Sequence, residues 1–452
     1  MLKLEPSALR IAVIGFALLN IFIGTFNING YLNNNLQKSS HLPPTNATTI
    51  TPAFAACLLV LDDTIRLNEW VAYHYTELPL TSLIVGIDPK STNSSIAEIH
   101  SMSERWSPYG LDITVWSTDP FPKTYEFTSK HKPRPGSYGW RQETFISSCT
   151  HHFLDKEAEE WLLLTDTDEF LAYNFIQRGE NISYFDKDSI DKDSIFQGQQ
   201  SGRWGAPSVE KRAADRVKAV PIRHQALAFS EQGQGSASST NYTILSFMKE
   251  QRAIGASSHE YFPSQSGCTR IVGLMYGTKE NSTASAGDSD SDVEKVENIL
   301  MTKRYQQHSM NLRDGFSKVL IELPKLKEDR NELGYIETIH NPFPKLCGRN
   351  GKHSSGQDFM GSVLKVAHYV GSVESFLERG YGKGSNINKH DITEWEKRDR
   401  RGSPYTDELD TRMGSWFDRF EAKVGKSGAQ ELLLKPLRAR IKYVRSKLAG
   451  YV

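Results

Sequence analysis

The stretch Trp161-Leu-Leu-Leu-Thr-Asp166-Thr-Asp168-Glu169-Phe170 puts two carboxylates two positions apart at the end of a short apolar run. Four apolar residues bounded by charge read as a buried strand. Side chains alternate faces along a strand, so Asp166 and Asp168 are expected on one side where it ends. Two carboxylates in one small space repel unless something positive sits between them, and a hard divalent cation with oxygen ligands is the usual answer. The carboxyl end of a central strand in an open α/β sheet is also where ligands bind. An isolated Asp-x-Asp more often marks a strand running out into an acidic surface turn. Here the apolar run before it, Glu169 after it and the order of elements upstream favour chemistry.

Those upstream elements alternate. Ala55 to Leu61 reads as a first buried strand, ended by Asp62-Asp63-Thr64. The segment from Ile65 to Tyr75 follows with Leu67, Trp70, Val71 and His74 at helical spacing, and Thr64 is placed to cap it. Ser82 to Asp88 is a second strand, Ile96 to Trp106 a helix, Leu111 to Trp116 a third strand, Tyr138 to Leu154 a helix, and Trp161 to Thr165 the fourth strand. Such alternation implies a parallel sheet with right-handed crossovers, a nucleotide-binding kind of architecture. No Gly-x-Gly-x-x-Gly follows the first strand and no Walker lysine is present, so neither a dinucleotide nor a P-loop triphosphate site is supported. A metal on Asp-x-Asp is another way of holding a diphosphate, because magnesium-like ions bind through one or two carboxylates plus phosphate oxygens.

The flanks are different in kind. Leu9 to Phe26 is almost wholly apolar apart from Arg10 and Asn20, with Lys3 and Arg10 at its front. That span suffices for a transmembrane helix whose short N-terminal side stays in the cytoplasm. A cleaved signal peptide is the rival, but no small-x-small cleavage site follows the run directly. The expected organisation is therefore a cytoplasmic tail over 1–8, a signal anchor over 9–29, a stalk over 30–53, an α/β domain over 54–380 and a helical extension over 381–452. Long insertions are expected near 178–255 and 279–298, where Gly, Ser, Gln and Asp dominate. Later strands are expected over Lys318 to Leu323 and Val363 to Gly371, and two C-terminal helices around Gly425 to Gly428.

The 452 residues are 38% hydrophobic and 10% aromatic, enough for a sizeable core. Lys plus Arg and Asp plus Glu both number 54, so the net charge is zero and no nucleic-acid partner is implied. Glycosylation patterns begin at Asn46, Asn93, Asn181, Asn241 and Asn281. Cys57, Cys149, Cys268 and Cys347 allow two disulfides in three connectivities, or four buried thiols; their wide spacing gives no zinc signature.

Taken together, Asn68-Glu69-Trp70 with Tyr73-His74, Asp88-Pro, Arg141-Gln142 leading to Cys149, Thr165 to Phe170, and His368-Tyr369 resemble glycosyltransferases of the GT-A fold, more narrowly glycosyltransferase family 92. The likeness covers roughly residues 54 to 175 and, in patches, 315 to 375. It implies a GT-A-like, Rossmann-like α/β fold with a mostly parallel sheet flanked by helices, preceded by a single N-terminal transmembrane helix. It further implies that Asp166 and Asp168, with His368 as third ligand, hold manganese or magnesium on the diphosphate of a nucleotide sugar. Asp62, Asp63, Asn68, Glu69, Asp88, Arg141 and Asp166 are then expected to face the donor nucleotide. Relatives often carry a basic-Asn-Glu step directly after the first strand, where this chain has Asp62-Asp63-Thr64.

The expected reaction is metal-assisted transfer of a hexose to a hydroxyl of a glycan or glycoprotein, with the body of a type II membrane protein in the lumen of the Golgi or endoplasmic reticulum. An inverting enzyme needs a general base, for which Glu260 and Asp358, then Glu337, are the candidates. Trp70 and Tyr73 are expected to be core, and Arg141 and Gln142 can equally be solvated helix residues. The other functional classes open to this sequence are a non-catalytic carbohydrate- or protein-binding member of the same fold and a metal-dependent phosphohydrolase.

Overall fold

A computed structural model describes residues 54–117, 137–156, 160–173, 244, 267–271, 273–277, 295–309, 318–328, 342–343, 347, 364–369, 371–381, 405 and 409–448. All lie within one unit spanning Pro52–Val452. The expected anchor and stalk over 1–53, and most of the two expected insertions, lie outside the described residues. No helix among the described residues is long and apolar enough to cross a membrane.

In chain order the strands are β1 (Phe54–Val60), β2 (Leu80–Ile87), β3 (Asp112–Trp116), β4 (Trp161–Leu164), β5 (Glu169–Tyr173), β6 (Cys268–Ile271), β7 (Gly273–Gly277), β8 (Gln307–His308), β9 (Lys318–Glu322) and β10 (Leu364–Tyr369). The helices are α1 (Thr64–Glu77), α2 (Asn93–Trp106), α3 (Tyr138–Asp155), α4 (Val296–Ile299), α5 (Met301–Arg304), α6 (Leu323–Glu328), α7 (Val373–Tyr381), α8 (Trp416–Ala429) and α9 (Lys435–Leu448). Among these elements one sheet has the order β3-β2-β1-β4-β9-β6 and a second the order β5-β10-β7-β8. The first four strands are mutually parallel, as the alternating pattern predicts, and β9 and β6 extend the sheet antiparallel. The chain is a mixed α/β protein with a sheet rich in parallel strands.

Strand alternation builds two apolar layers. Phe54, Ala56, Leu58 and Val60 of β1 pack with Trp70 of α1, Trp106 of α2, Trp416 of α8 and Leu437 of α9. Ala55, Cys57 and Leu59 pack on the other face with Phe145 and Phe153 of α3 and Leu326 of α6. A strand covered on both faces must be apolar throughout, which is why β1 and β4 read as unbroken runs. Gly86 of β2 lies where a Cβ would meet the Phe145 ring at 2.5 Å, so the absence of a side chain there lets α3 sit close. Disulfides Cys57–Cys149 and Cys268–Cys347 join β1 to α3 and β6 to the segment at 347; among the described residues no cysteine is free.

The expected cap of α1 is corrected. Asp63, not Thr64, occupies the cap position, and no side chain of that residue accepts from the helix. Glu378 of α7 takes over instead, accepting from Thr64 Oγ1 at 2.5 Å and Ile65 N at 3.0 Å. An acid at a helix N-terminus meets unpaired N–H groups and the positive end of the helix dipole, whichever element supplies it.

Candidate active site at the carboxyl end of the parallel strands

β4 ends at Leu164, and Glu169 N donates to Asp166 O at 3.1 Å, closing a turn before β5 begins. Strand alternation therefore does not reach the two aspartates, and their carboxylates meet different partners. Asp166 accepts from Gln142 Nε2 of α3 at 2.7 Å and from Lys318 Nζ of β9 at 2.6 Å. Asp168 Oδ2 accepts from Arg66 Nη1 of α1 at 3.0 Å, with His368 Nε2 at 3.7 Å and Arg379 Nη1 of α7 at 3.6 Å.

Glu169 joins the two halves. Its Oε2 accepts from Asp166 N at 2.9 Å and lies 3.0 Å from Lys318 Nζ, while Oε1 is 4.0 Å from His368 Nδ1. The antiparallel register of β5 and β10 sets Glu169 directly opposite His368, and Tyr369 N donates to Asp168 O at 2.8 Å. Directly opposed residues bring their side chains together. Two residues 199 positions apart thus meet because two strands pair.

Asp168, Glu169 and His368 each offer one ligand atom within 4.8 Å of the others. With metal–oxygen bonds of about 2.1 Å, ligands of one ion lie at most about 4.2 Å apart, so a small side-chain adjustment suffices. Two carboxylates and an imidazole suit manganese better than magnesium, which prefers oxygen alone. The residues present fit a divalent cation. Asp166, expected as a ligand, is not in that group; its carboxylate is on Gln142 and Lys318.

Helix α1 holds β5 in place through its buried face. Trp70 Nε1 donates to Glu169 O at 2.8 Å and the Tyr73 hydroxyl to Leu171 O at 3.0 Å. His74 Nε2 accepts from Leu171 N at 3.2 Å, so Nδ1 carries the proton and donates to Trp70 O at 2.9 Å. Burial pushes this imidazole down to about 3, against the help of the Trp70 carbonyl, and it stays neutral.

The remaining expected site residues are also placed. Asp62, in a left-handed conformation (φ 47°), accepts from Thr92 N at 2.7 Å and Thr92 Oγ1 at 2.8 Å. Asp63 accepts from the Thr167 hydroxyl and from Arg379 Nη2 at 2.7 Å. Asn68 Nδ2 donates to Thr64 O, and Glu69 accepts from Met301 N, Thr302 N and Thr302 Oγ1, capping α5. Asp88 is wholly buried and accepts from Arg141 Nε at 2.7 Å and Lys90 N at 2.9 Å. Asp63, Asp166 and Asp168 thus meet at one cluster, whereas Asn68 and Glu69 brace α1 and α5. Glu260, Asp358 and Glu337 lie outside the described residues.

Charges set the site's electrostatics. Four acids, Asp63, Asp166, Asp168 and Glu169, face Arg66, Lys318, Arg379 and His368. Burial alone would raise Asp168, but Arg379, Arg66 and His368 hold it well below the ordinary carboxylate range. Burial opposes Asp166 ionisation too, and Lys318 outweighs it. Glu169 is raised by burial despite Lys318. Burial would lower His368, but Asp168 beside it outweighs burial and raises it. Sequence reading did not single out Arg66, Lys318 or Arg379. Lys318 opens an apolar strand, a visible oddity; nothing in the sequence around Arg379 marks it.

No protein-family model matches the chain, and no curated protein matches it. The chain is similar to the solved structure of S. aureus TarS 1-349 in complex with UDP, at 11% identity over 87% of each chain, with a TM-score of 0.23. It is similar to mannosyltransferase PcManGT from Pyrobaculum calidifontis in complex with GDP-Man and Mn2+, at 10% identity over 97% of each chain, with a TM-score of 0.24. At these values the likeness carries neither fold nor function.

Proposed function

We propose that the chain is a glycosyltransferase of GT-A type that moves a hexose from a nucleotide sugar to a hydroxyl of a glycan or glycoprotein. The observation that carries this is the convergence of Asp168, Glu169 and His368 beside the carboxyl end of β4, where ligands of open α/β sheets bind. A divalent cation bound there would stabilise negative charge as it develops on the leaving diphosphate. The chain's own residues hold that place in shape. Lys318 and Gln142 fix Asp166 at the mouth of β4, and Arg66 orients Asp168. Arg379, 29% exposed where Arg66 and Lys318 are 2% exposed, is the cation of the three best placed to turn toward an anionic donor. A guanidinium suits phosphate oxygens through its paired donors. Asp88, gripped by Arg141, keeps α3 registered on β2.

The transfer is proposed to be inverting, with a general base outside the described residues. The body is proposed to lie in the lumen of the Golgi or endoplasmic reticulum behind the apolar segment from Leu9 to Phe26. One observation favours a second reading, a non-catalytic binding member of this fold: three cations, two of them buried, already meet the acids, so the cluster is balanced without an ion. Consumption of nucleotide sugars by the full chain, screened over common donors with and without manganese, separates the two. The transferase reading expects one donor to be consumed only with metal, and Asp168→Asn to abolish it. If no donor is turned over at any metal concentration, the binding module replaces it.

A further inference from the structure

A continuous chain of polar contacts runs from the C-terminal helix to the acidic cluster. Arg440 of α9 donates through Nε to Glu378 Oε1 at 2.5 Å, through Nη1 to Ser94 Oγ at 3.2 Å and through Nη2 to Ser95 Oγ at 3.0 Å. One guanidinium therefore ties α9 to α7 and to the first turn of α2. Glu378, only 1% exposed, in turn accepts from Thr64 Oγ1 and Ile65 N at the start of α1. The next residue, Arg379, holds Asp63. Helix α7 thus presents two successive side chains to the loop after β1, one on its N–H groups and one on its carboxylate. Thr92, the residue before α2, holds Asp62. A second pair four residues earlier on α7, Glu374 with the part-exposed Arg445 at 2.9 Å, repeats the link between the same two helices.

We propose that Arg440 is a positioning residue: by keeping Glu378 on the first turn of α1, it fixes Asp63 of the loop after β1 and Arg66 of that turn at the acidic cluster. A buried ion pair contributes little net stability compared with apolar packing, but it does select one arrangement of its partners. Here the arrangement selected is that of the loop and first helical turn, which supply the cluster with an acid, Asp63, and a cation, Arg66. The effect on turnover rests on the transferase reading above; the effect on the loop does not.

The test uses the full chain and two measurements. Arg440→Met keeps the stem and removes the guanidinium. Hydrogen exchange at the amides of Ile65 and Leu67 is expected to speed by about tenfold, with the amides of β4 unchanged. The kcat/KM for the consumed donor is expected to fall about tenfold, with a higher manganese concentration needed for half-maximal rate, and Arg440→Lys is expected to restore most of both. Exchange and kinetics within about twofold of the unmutated chain would overturn the proposal. If Arg440→Met does not fold, Glu378→Gln combined with Arg440→Met leaves no bare charge, and slow exchange with full turnover in that variant overturns it equally. If the unmutated chain consumes no donor, the exchange result still decides the loop's dependence on Arg440, and only the transferase reading falls.

Discussion

Replacing Lys318 by Met removes the cation that bridges Asp166 and Glu169 while keeping a side chain of similar length. Lys318 is 2% exposed and lies 2.6 Å from Asp166 and 3.0 Å from Glu169. Breaking a buried pair from one side costs about 3–5 kcal/mol, because the remaining charge is left in a poor solvent. Asp166 is 26% exposed and keeps Gln142, and Glu169 keeps the Asp166 amide, so the lower end, about 3 kcal/mol, is expected. The loss must also depend on pH. Without the ammonium both carboxyls rise in the folded state and take up protons there before they do in the unfolded chain. A group raised on folding contributes stability at low pH and loses it as pH rises, so the deficit is largest near neutrality and shrinks on acidification. Urea unfolding with disulfides intact, at about pH 7 and about pH 4.5, measures both features. A deficit under about 1 kcal/mol at neutrality, or one that grows as pH falls, would refute the role given to Lys318.

Three other outcomes follow from the packing and the disulfides. His74 is neutral when buried and falls to about 3 from 6.5, so between those values the unfolded chain holds a proton that the folded one does not. Stability is then lost as pH falls through that window, by about 1.4 kcal/mol per pH unit from this residue, and His74→Gln should remove that share of the acid-unfolding slope. Gly86→Ala sets a methyl against Phe145 and should lower stability by about 1–3 kcal/mol in urea unfolding, with Phe145→Leu in the same chain recovering part of it. Thiol titration of the denatured, unreduced chain should find no free cysteine; opening Cys57–Cys149, which spans 92 residues, should cost about 4–5 kcal/mol.

Elements whose residues face apolar layers on both sides were legible in the sequence. β1 and β4 read as strands because burial on both faces forces an unbroken apolar run, and α1 showed its stripe through Leu67, Trp70 and Val71. The alternation of strand and helix carried the parallel order of β1 to β4. What escaped was set by partners distant in the chain. Extending the strand rule to Asp166 and Asp168 fails, because the turn closed by Glu169 intervenes and no local pattern announces it. Glu169 stands opposite His368 only through the pairing of β5 with β10. The cap of α1 comes from Glu378, more than 300 residues on, while Thr64 beside it turns its hydroxyl to that same acid. The cations are hardest to foresee: Arg66 lies among polar and apolar residues of α1 and Arg379 in a charged helix, and each acquires its role from the acids it meets.

Manganese binding by the full chain, followed by electron paramagnetic resonance of the free ion with and without a nucleoside diphosphate, bears most directly on the account. One bound ion is expected, held more tightly with the diphosphate present. Asp168→Asn and Glu169→Gln should each abolish it, while Asp166→Asn should weaken it less, since the Asp166 carboxylate lies on Gln142 and Lys318. No bound ion at millimolar manganese, with or without the diphosphate, or an ion unaffected by Asp168→Asn, would contradict the site and the transfer chemistry built on it.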